Sequence, residues 1–249
     1  MASIRTDSQN YAAIAQSIRD KTGQTTKYLP SEMAAAIQRI EGGSMDAFWD
    51  VYQQSGNRGS YEGAFYGSGW TADTFKPKYP VAPNGSATRI FASNPIVGDL
   101  RDYCVLDLSG ATNVSYAFYY SKFTHLGVLD LSGVTAAGSY AQTFAGMSNL
   151  VEIEQITFGA TSGSYSSVFN GASNLVKLTV AGEIKAGGLS FYPCTKLSRA
   201  SIESVVAALS TETSGLTITF SKASVNAAFS DAEWATLTAS RGNWDIKTT

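Results

Sequence analysis

Asp107 and Asp130 hold the same place in two matching segments, Val105-Leu106-Asp107-Leu108 and Val128-Leu129-Asp130-Leu131. If these segments stack as neighbouring strands, the two carboxylates lie about 5 Å apart. That is close to the separation of the paired carboxyls in retaining glycosidases, so the pair is the candidate for a glycan hydrolase. The next positions of the series, Thr157 and Thr179, add no third charged group to raise one pKa. The pair therefore reads first as a solvated polar ladder with a modest like-charge cost. A calcium ion between the two would want six to eight oxygens.

Other chemistry is scarce. His125 is the only histidine, and the repeat alignment puts it in a turn with Asn149, Asn174 and Lys196. One histidine and two cysteines do not supply the four ligands of a usual zinc site. Nothing places His125 beside an activated serine. Cys104 and Cys194 are expected roughly 19 Å apart by the strand spacing, too far for a disulfide, so both are expected as free thiols. The motifs GxxxxGK[ST], HExxH, GxSxG and CxxC do not occur. No catalytic residue, cofactor or metal is expected outside the hydrolase reading.

Aromatic side chains are the other resource. The 249 residues include 13 Tyr, 12 Phe and 4 Trp against only 15% charged residues and a net charge of -2. Such a surface suits adhesion, because Tyr and Trp cover area at low entropic cost. Tyr66, Trp70, Tyr119, Tyr120 and Tyr192 follow a repeated phenylalanine or the turn after it, and Ala145 and Asn170 stand in equivalent places. These five either line an edge as a stacking platform for sugars or pack between repeats. No basic face points to nucleic acid. No stretch reaches the roughly 20 apolar residues of a membrane helix, and the opening MASIRTDSQN has no apolar run, so synthesis in a cytoplasm is expected.

The element that positions these residues is a repeat. Phe65, Phe91, Phe118, Phe144, Phe169 and Phe191 recur at spacings of 26, 27, 26, 25 and 22. A period in the twenties predicts stacked units, each too small to bury its own apolar face. The expected fold is an α/β repeat solenoid of short strands and turns over 44–197, opened by a capping helix over Met45–Gln54. An α/β cap over 198–249 closes it: a helix carrying Ile202, Val205, Val206 and Leu209, a strand through Leu216, Ile218 and Phe220, a capping box at Ser230–Glu233 with a Phe229–Trp234 staple, and a strand near Trp244 and Ile246.

Residues 1–42 read differently, as a helical hairpin. Tyr11, Ile14 and Ile18 share one helix face, and Met33, Ile37 and Ile40 share another. Two helices of about three turns bury little against one another. The stripes therefore need a partner: sister chains in a homo-oligomer, a trimer first among them, or another protein. Folding back onto the repeats is the alternative.

Tyr11-Ala-Ala-Ile-Ala-Gln-Ser-Ile-Arg-Asp-Lys-Thr-Gly23 with Leu29-Pro-Ser-Glu-Met33 and Ile37-Gln-Arg-Ile40 resembles an amino-terminal module of tail-associated structural proteins of bacteriophages and prophages. The repeats, with LDLSG, TF-x-G-x-SNL and KLS-x-x-SI, look like leucine-rich repeats of the BspA type. Weaker likenesses to phage proteins carrying such repeats lie at Phe48-Trp49-Asp50 with Gln53 and at Thr74–Tyr79. The resemblance implies a tail, baseplate or tail-fibre component, joined to other virion proteins through residues 8–40 and presenting its repeats to a host-surface glycan or protein. A head decoration protein uses the same surface logic.

Overall fold

The computed structural model describes residues 15–16, 18–20, 61–67 and 69–249. The recurring phenylalanines form a column. Phe65, Phe91, Phe118, Phe144, Phe169 and Phe191 stack in that order, with centroids 4.8 to 5.5 Å apart and rings 14 to 25° from parallel. Phe220 extends the column by one ring at 5.6 Å and 13°. Its spacing of 29 residues from Phe191 hid it from the sequence repeat. All seven are fully buried, and burial of each stabilises the fold by about 1.5–3 kcal/mol.

Each of the first five phenylalanines sits in a ribbon of linked turns with two left-handed residues four apart. The pairs are Gly63 and Gly67, Arg89 and Ser93, Tyr116 and Tyr120, Gln142 and Gly146, and Ser167 and Gly171, with φ between 52° and 94°. Alternate amides divide the labour. In the second ribbon, Ile90, Ala92 and Asn94 donate three residues back, closing turns. Between them, Arg89, Phe91 and Ser93 donate to the carbonyls of Ser115, Ala117 and Tyr119 in the next ribbon, at 3.1, 2.7 and 2.6 Å. The pattern repeats from Tyr116, Phe118 and Tyr120 to Ala141, Thr143 and Ala145. Backbone groups that would be costly to bury unpaired are satisfied in this way without strand geometry.

The strands lie elsewhere in each repeat, and all pair in parallel. β1 (Gly85–Ser86) pairs with β3 (Ala111–Asn113). β2 (Gly98–Asp99), β4 (Phe123–Leu131), β5 (Glu152–Phe158) and β6 (Lys177–Ala181) form a four-stranded sheet in that order. β7 (Leu189–Phe191), β8 (Leu216–Phe220) and β9 (Trp244–Thr248) form a third sheet. This corrects the expected BspA-type leucine-rich-repeat solenoid. The described residues make an α/β structure of three separate parallel sheets, and no single sheet runs along the repeats. The breaks have local causes. Val105–Leu108, expected as a strand, contributes one bridge, Leu106 to Val81. A 3-10 turn at Leu100–Asp102, capped by the Asp99 side chain, ends β2 after two residues. Ala181 and Leu189 are separated by a bend that starts a new sheet.

The glycine of each Leu-x-Leu-Ser-Gly segment permits close approach. A Cβ on Gly133 would meet the carbonyl oxygens of Ala111 and Ser109 at 2.7 and 2.8 Å.

The carboxy-terminal segment forms as expected, with one helix more. α1 (Arg199–Ala207), capped by Ser198, lies beside β6. There it stands in for a further strand: Ser201 and Ser204 Oγ accept from the Leu178 and Val180 amides, both at 2.9 Å. α2 (Lys222–Ala228) was not visible as an apolar stripe, because its buried positions are only Ser224 and Val225. α3 (Asp231–Ala239) carries the capping box of Ser230 and Glu233. Phe229 packs on Trp234 at 5.7 Å.

Candidate functional site

Tyr66, Ala92, Tyr119, Ala145, Asn170 and Tyr192 each follow a column phenylalanine and form a row along the repeats, in which the tyrosines and Asn170 reach the surface and the two alanines are buried. Tyr66, Tyr120 and Tyr192 are 45, 52 and 57% exposed, and Tyr119 is half-buried. Four of the five expected surface aromatics are therefore at the surface. Trp70 is the correction: it is fully buried, edge-on to Phe65 and Phe75 at 5.7 Å each. Its place at the head of the column makes it core.

Tyr66 and Tyr119 line a groove of about 580 Å³ together with Ala92 and Ser93. Glu62, Gly63, Arg89 and Tyr116 complete the lining. Tyr116 is clamped. Arg89 lies over its ring at 5.3 Å, Tyr119 meets it edge-on at 5.4 Å, and Gln142 Nε2 donates to its hydroxyl at 3.2 Å. Tyr120 stands edge-on to Tyr119 at 4.5 Å. Arg89, Tyr116 and Tyr120 all hold φ between 55° and 58°, a conformation that costs an ordinary residue of order 1 kcal/mol or more. Tyr120 covers Gly146, where a Cβ would strike the Tyr120 ring at 2.8 Å. Tyr192 lies three repeats beyond Tyr119 and outside the groove. The sequence reading missed Arg89 and Tyr116. Their signal was the position two before each phenylalanine, which the spacing of the repeat already defines.

Both aspartates accept from the serine two residues further on. Asp107 Oδ1 accepts from the Ser109 amide and hydroxyl at 3.0 and 2.7 Å, and Asp130 Oδ1 accepts from the Ser132 amide at 2.9 Å. Asp130 pairs with Thr157, as expected, but Thr157 pairs with Ala181 and not with Thr179, because the register shifts between Ile153 and Ile156. His125 is no turn residue. It lies inside β4, paired with Asp99 and Glu152, and its Nδ1 is 2.9 Å from the Thr124 hydroxyl. Cys104 and Cys194 are buried free thiols, each pushed up to about 12 by loss of solvent.

Of the expected assembly face, Ile18 is 2% exposed within its own chain, beside buried Ala15. Tyr11, Ile14, Met33, Ile37 and Ile40 lie outside the described residues, as does the helix expected over 45–54. Among the described residues no group of three or more His, Cys, Asp or Glu is placed to hold a metal, and no helix is long and apolar enough to cross a membrane.

Compared with protein-family models, curated proteins and solved structures, the chain matches none.

Proposed function

We propose that this chain is a non-enzymatic virion protein of a bacteriophage tail, baseplate or tail fibre, whose aromatic edge contacts a host-surface glycan or protein. The observation that carries the reading is the presence of Tyr66, Tyr119, Tyr120 and Tyr192 at the surface of repeats that are linked mainly by backbone hydrogen bonds. Rigid aromatic side chains on a fixed backbone bind with little entropic loss. The resemblance of residues 11–40 to a tail-associated module supports the location. Residues 8–40 would then join sister chains, with a trimer the first expectation, or other virion proteins.

Two experiments test this. An antibody to residues 44–249 is expected to label the tail tip of intact particles in electron micrographs, and purified chain is expected to reduce particle adsorption to cells. Label over the capsid would replace the tail reading with head decoration. Failure to compete for adsorption would remove the attachment role. The hydrolase reading has its own test: Asp107→Asn with Asp130→Asn is expected to leave any glycan turnover unchanged, since both carboxylates close turns.

A further inference from the structure

We infer that the groove between Tyr66 and Tyr119 is a subsite for a carboxylated sugar, with Arg89 as the residue that selects for the acid. The inference rests on the attachment reading and specifies its ligand.

Three observations converge. The first is size. Tyr66 and Tyr119 are two repeats apart, and the buried Ala92 holds the equivalent place in the repeat between them. Neighbouring phenylalanines in this part of the column are 5.2 and 5.3 Å apart. The two tyrosine positions are therefore about 10 Å apart, room for one pyranose ring in van der Waals contact with both walls.

The second is charge. Arg89 is exposed, sits in the groove lining, and makes no ion pair among the described residues. The other described arginines of the repeat and cap regions are taken: Arg101 by Asp99 and Glu154, Arg199 by Glu203 and Glu233, and Arg241 by the carbonyls of Leu209 and Ala207. Glu62, the one carboxylate of the groove, is engaged in an interaction of its own. Arg89 is thus left without an ion-pair partner among the described residues, and a guanidinium presents parallel donors that match a planar carboxylate bidentately.

The third is preorganisation. Arg89 and Tyr116 each hold an uncommon left-handed conformation, and Arg89 lies on the Tyr116 face. Tyr116 is itself fixed by Gln142. The left-handed backbone recurs in all five ribbons; particular to this groove is the Arg89–Tyr116–Gln142 contact, which holds the guanidinium in place before a ligand arrives. In the ligand complex the sugar ring lies over Ala92 between the tyrosines, and its carboxylate meets the open edge of Arg89.

The repeat supplies variants whose backbone is already accommodated. Gln142 occupies in its ribbon the conformation of Arg89, and Ala145 occupies the position of Tyr119. Arg89→Gln and Tyr119→Ala are therefore expected to fold. The test is calorimetric titration of the full chain with oligomers of galacturonic acid, of N-acetylneuraminic acid and of galactose, and with a glycerol phosphate polymer. An acidic oligosaccharide is expected to bind, with its carboxyl-reduced form and the Arg89→Gln variant each losing about tenfold or more. Tyr119→Ala is expected to weaken acidic and reduced sugars alike. Equal binding of galactose and acidic oligomers, or an Arg89→Gln variant that keeps the acidic preference, overturns the inference and leaves the attachment reading standing. Binding of the phosphate polymer alone, or of no saccharide, also overturns it. Adsorption competition, measured separately, decides the attachment reading.

Discussion

Tyr120 and Gly146 depend on each other. Gly146 has φ 74° and receives the Tyr120 ring where its own side chain would stand. Gly146→Ala therefore meets both backbone strain and a clash, and is expected to cost about 1–3 kcal/mol. In a Tyr120→Ala background only the backbone part remains. Thermal melts of the two single variants and the double are expected to show a favourable coupling; strict additivity would mean that the ring moves away at no cost. At the middle of the phenylalanine column, Phe144→Ala is expected to cost about 3–5 kcal/mol in denaturant unfolding. The same substitution at Tyr119, half-exposed in the outer row, is expected to change stability by under about 1 kcal/mol.

At this scale the sequence was a good guide to the column and a poor one to the groove. The phenylalanines repeat because each fills the same buried slot, and that regularity is visible by eye. Arg89 and Tyr116 share a position with Gly63, Gln142 and Ser167. No residue type unites those five; only a left-handed backbone does, and it leaves no mark when the residue is not glycine. Trp70 was misassigned for the opposite reason. It follows the surface pattern in sequence, but it caps the first rings of the column.

Elements are held by edges as much as by faces. α1 closes the four-stranded sheet by giving β6 two serine hydroxyls in place of carbonyls. Ser201 is buried, so Ser201→Ala leaves the Leu178 amide without its acceptor and is expected to cost about 1–3 kcal/mol. Hydrogen exchange at Leu178 should rise with it. An unchanged Leu178 rate would mean that water replaces the hydroxyl. The start of α3 carries a pH dependence. The Ser230 amide, then Arg199, then the Ser230 hydroxyl hold the Glu233 carboxyl down to about 2, from an ordinary value of 4.5. A depressed carboxylate adds stability above its unfolded pKa and loses it as pH falls through the folded one. Stability is therefore expected to decline between about pH 4.5 and 2, and Glu233→Gln to flatten that part of the profile. The capping box was legible because its residues are contiguous. α2 was not, because a helix that buries serine and valine shows no apolar stripe. The solenoid expectation failed at this scale too: the alternating segments resemble one another, but bulges, a 3-10 turn and a bend divide the strands among three sheets.

Across the whole molecule, Cys104 and Cys194 are placed to report opening. Each thiol is buried and held largely uncharged near neutral pH, in different parts of the chain. Both are expected to resist a thiol reagent until the chain unfolds, and to react together if the described fold is one cooperative unit. Faster labelling of one would mark a region that opens alone. Removal of residues 1–42 gives a second whole-molecule measurement. The truncated chain is expected to be monomeric in solution, and retention of the full oligomeric mass would move assembly into the remaining chain.

The ribbons make their cross-links through backbone atoms, so the outer row contributes little to holding them together. Tyrosine, alanine and asparagine already stand at equivalent points on it. Such a row behaves as a keyboard with fixed spacing and exchangeable keys. Substitutions at its exposed positions are expected to change the chemistry of the edge while the column beneath stays intact.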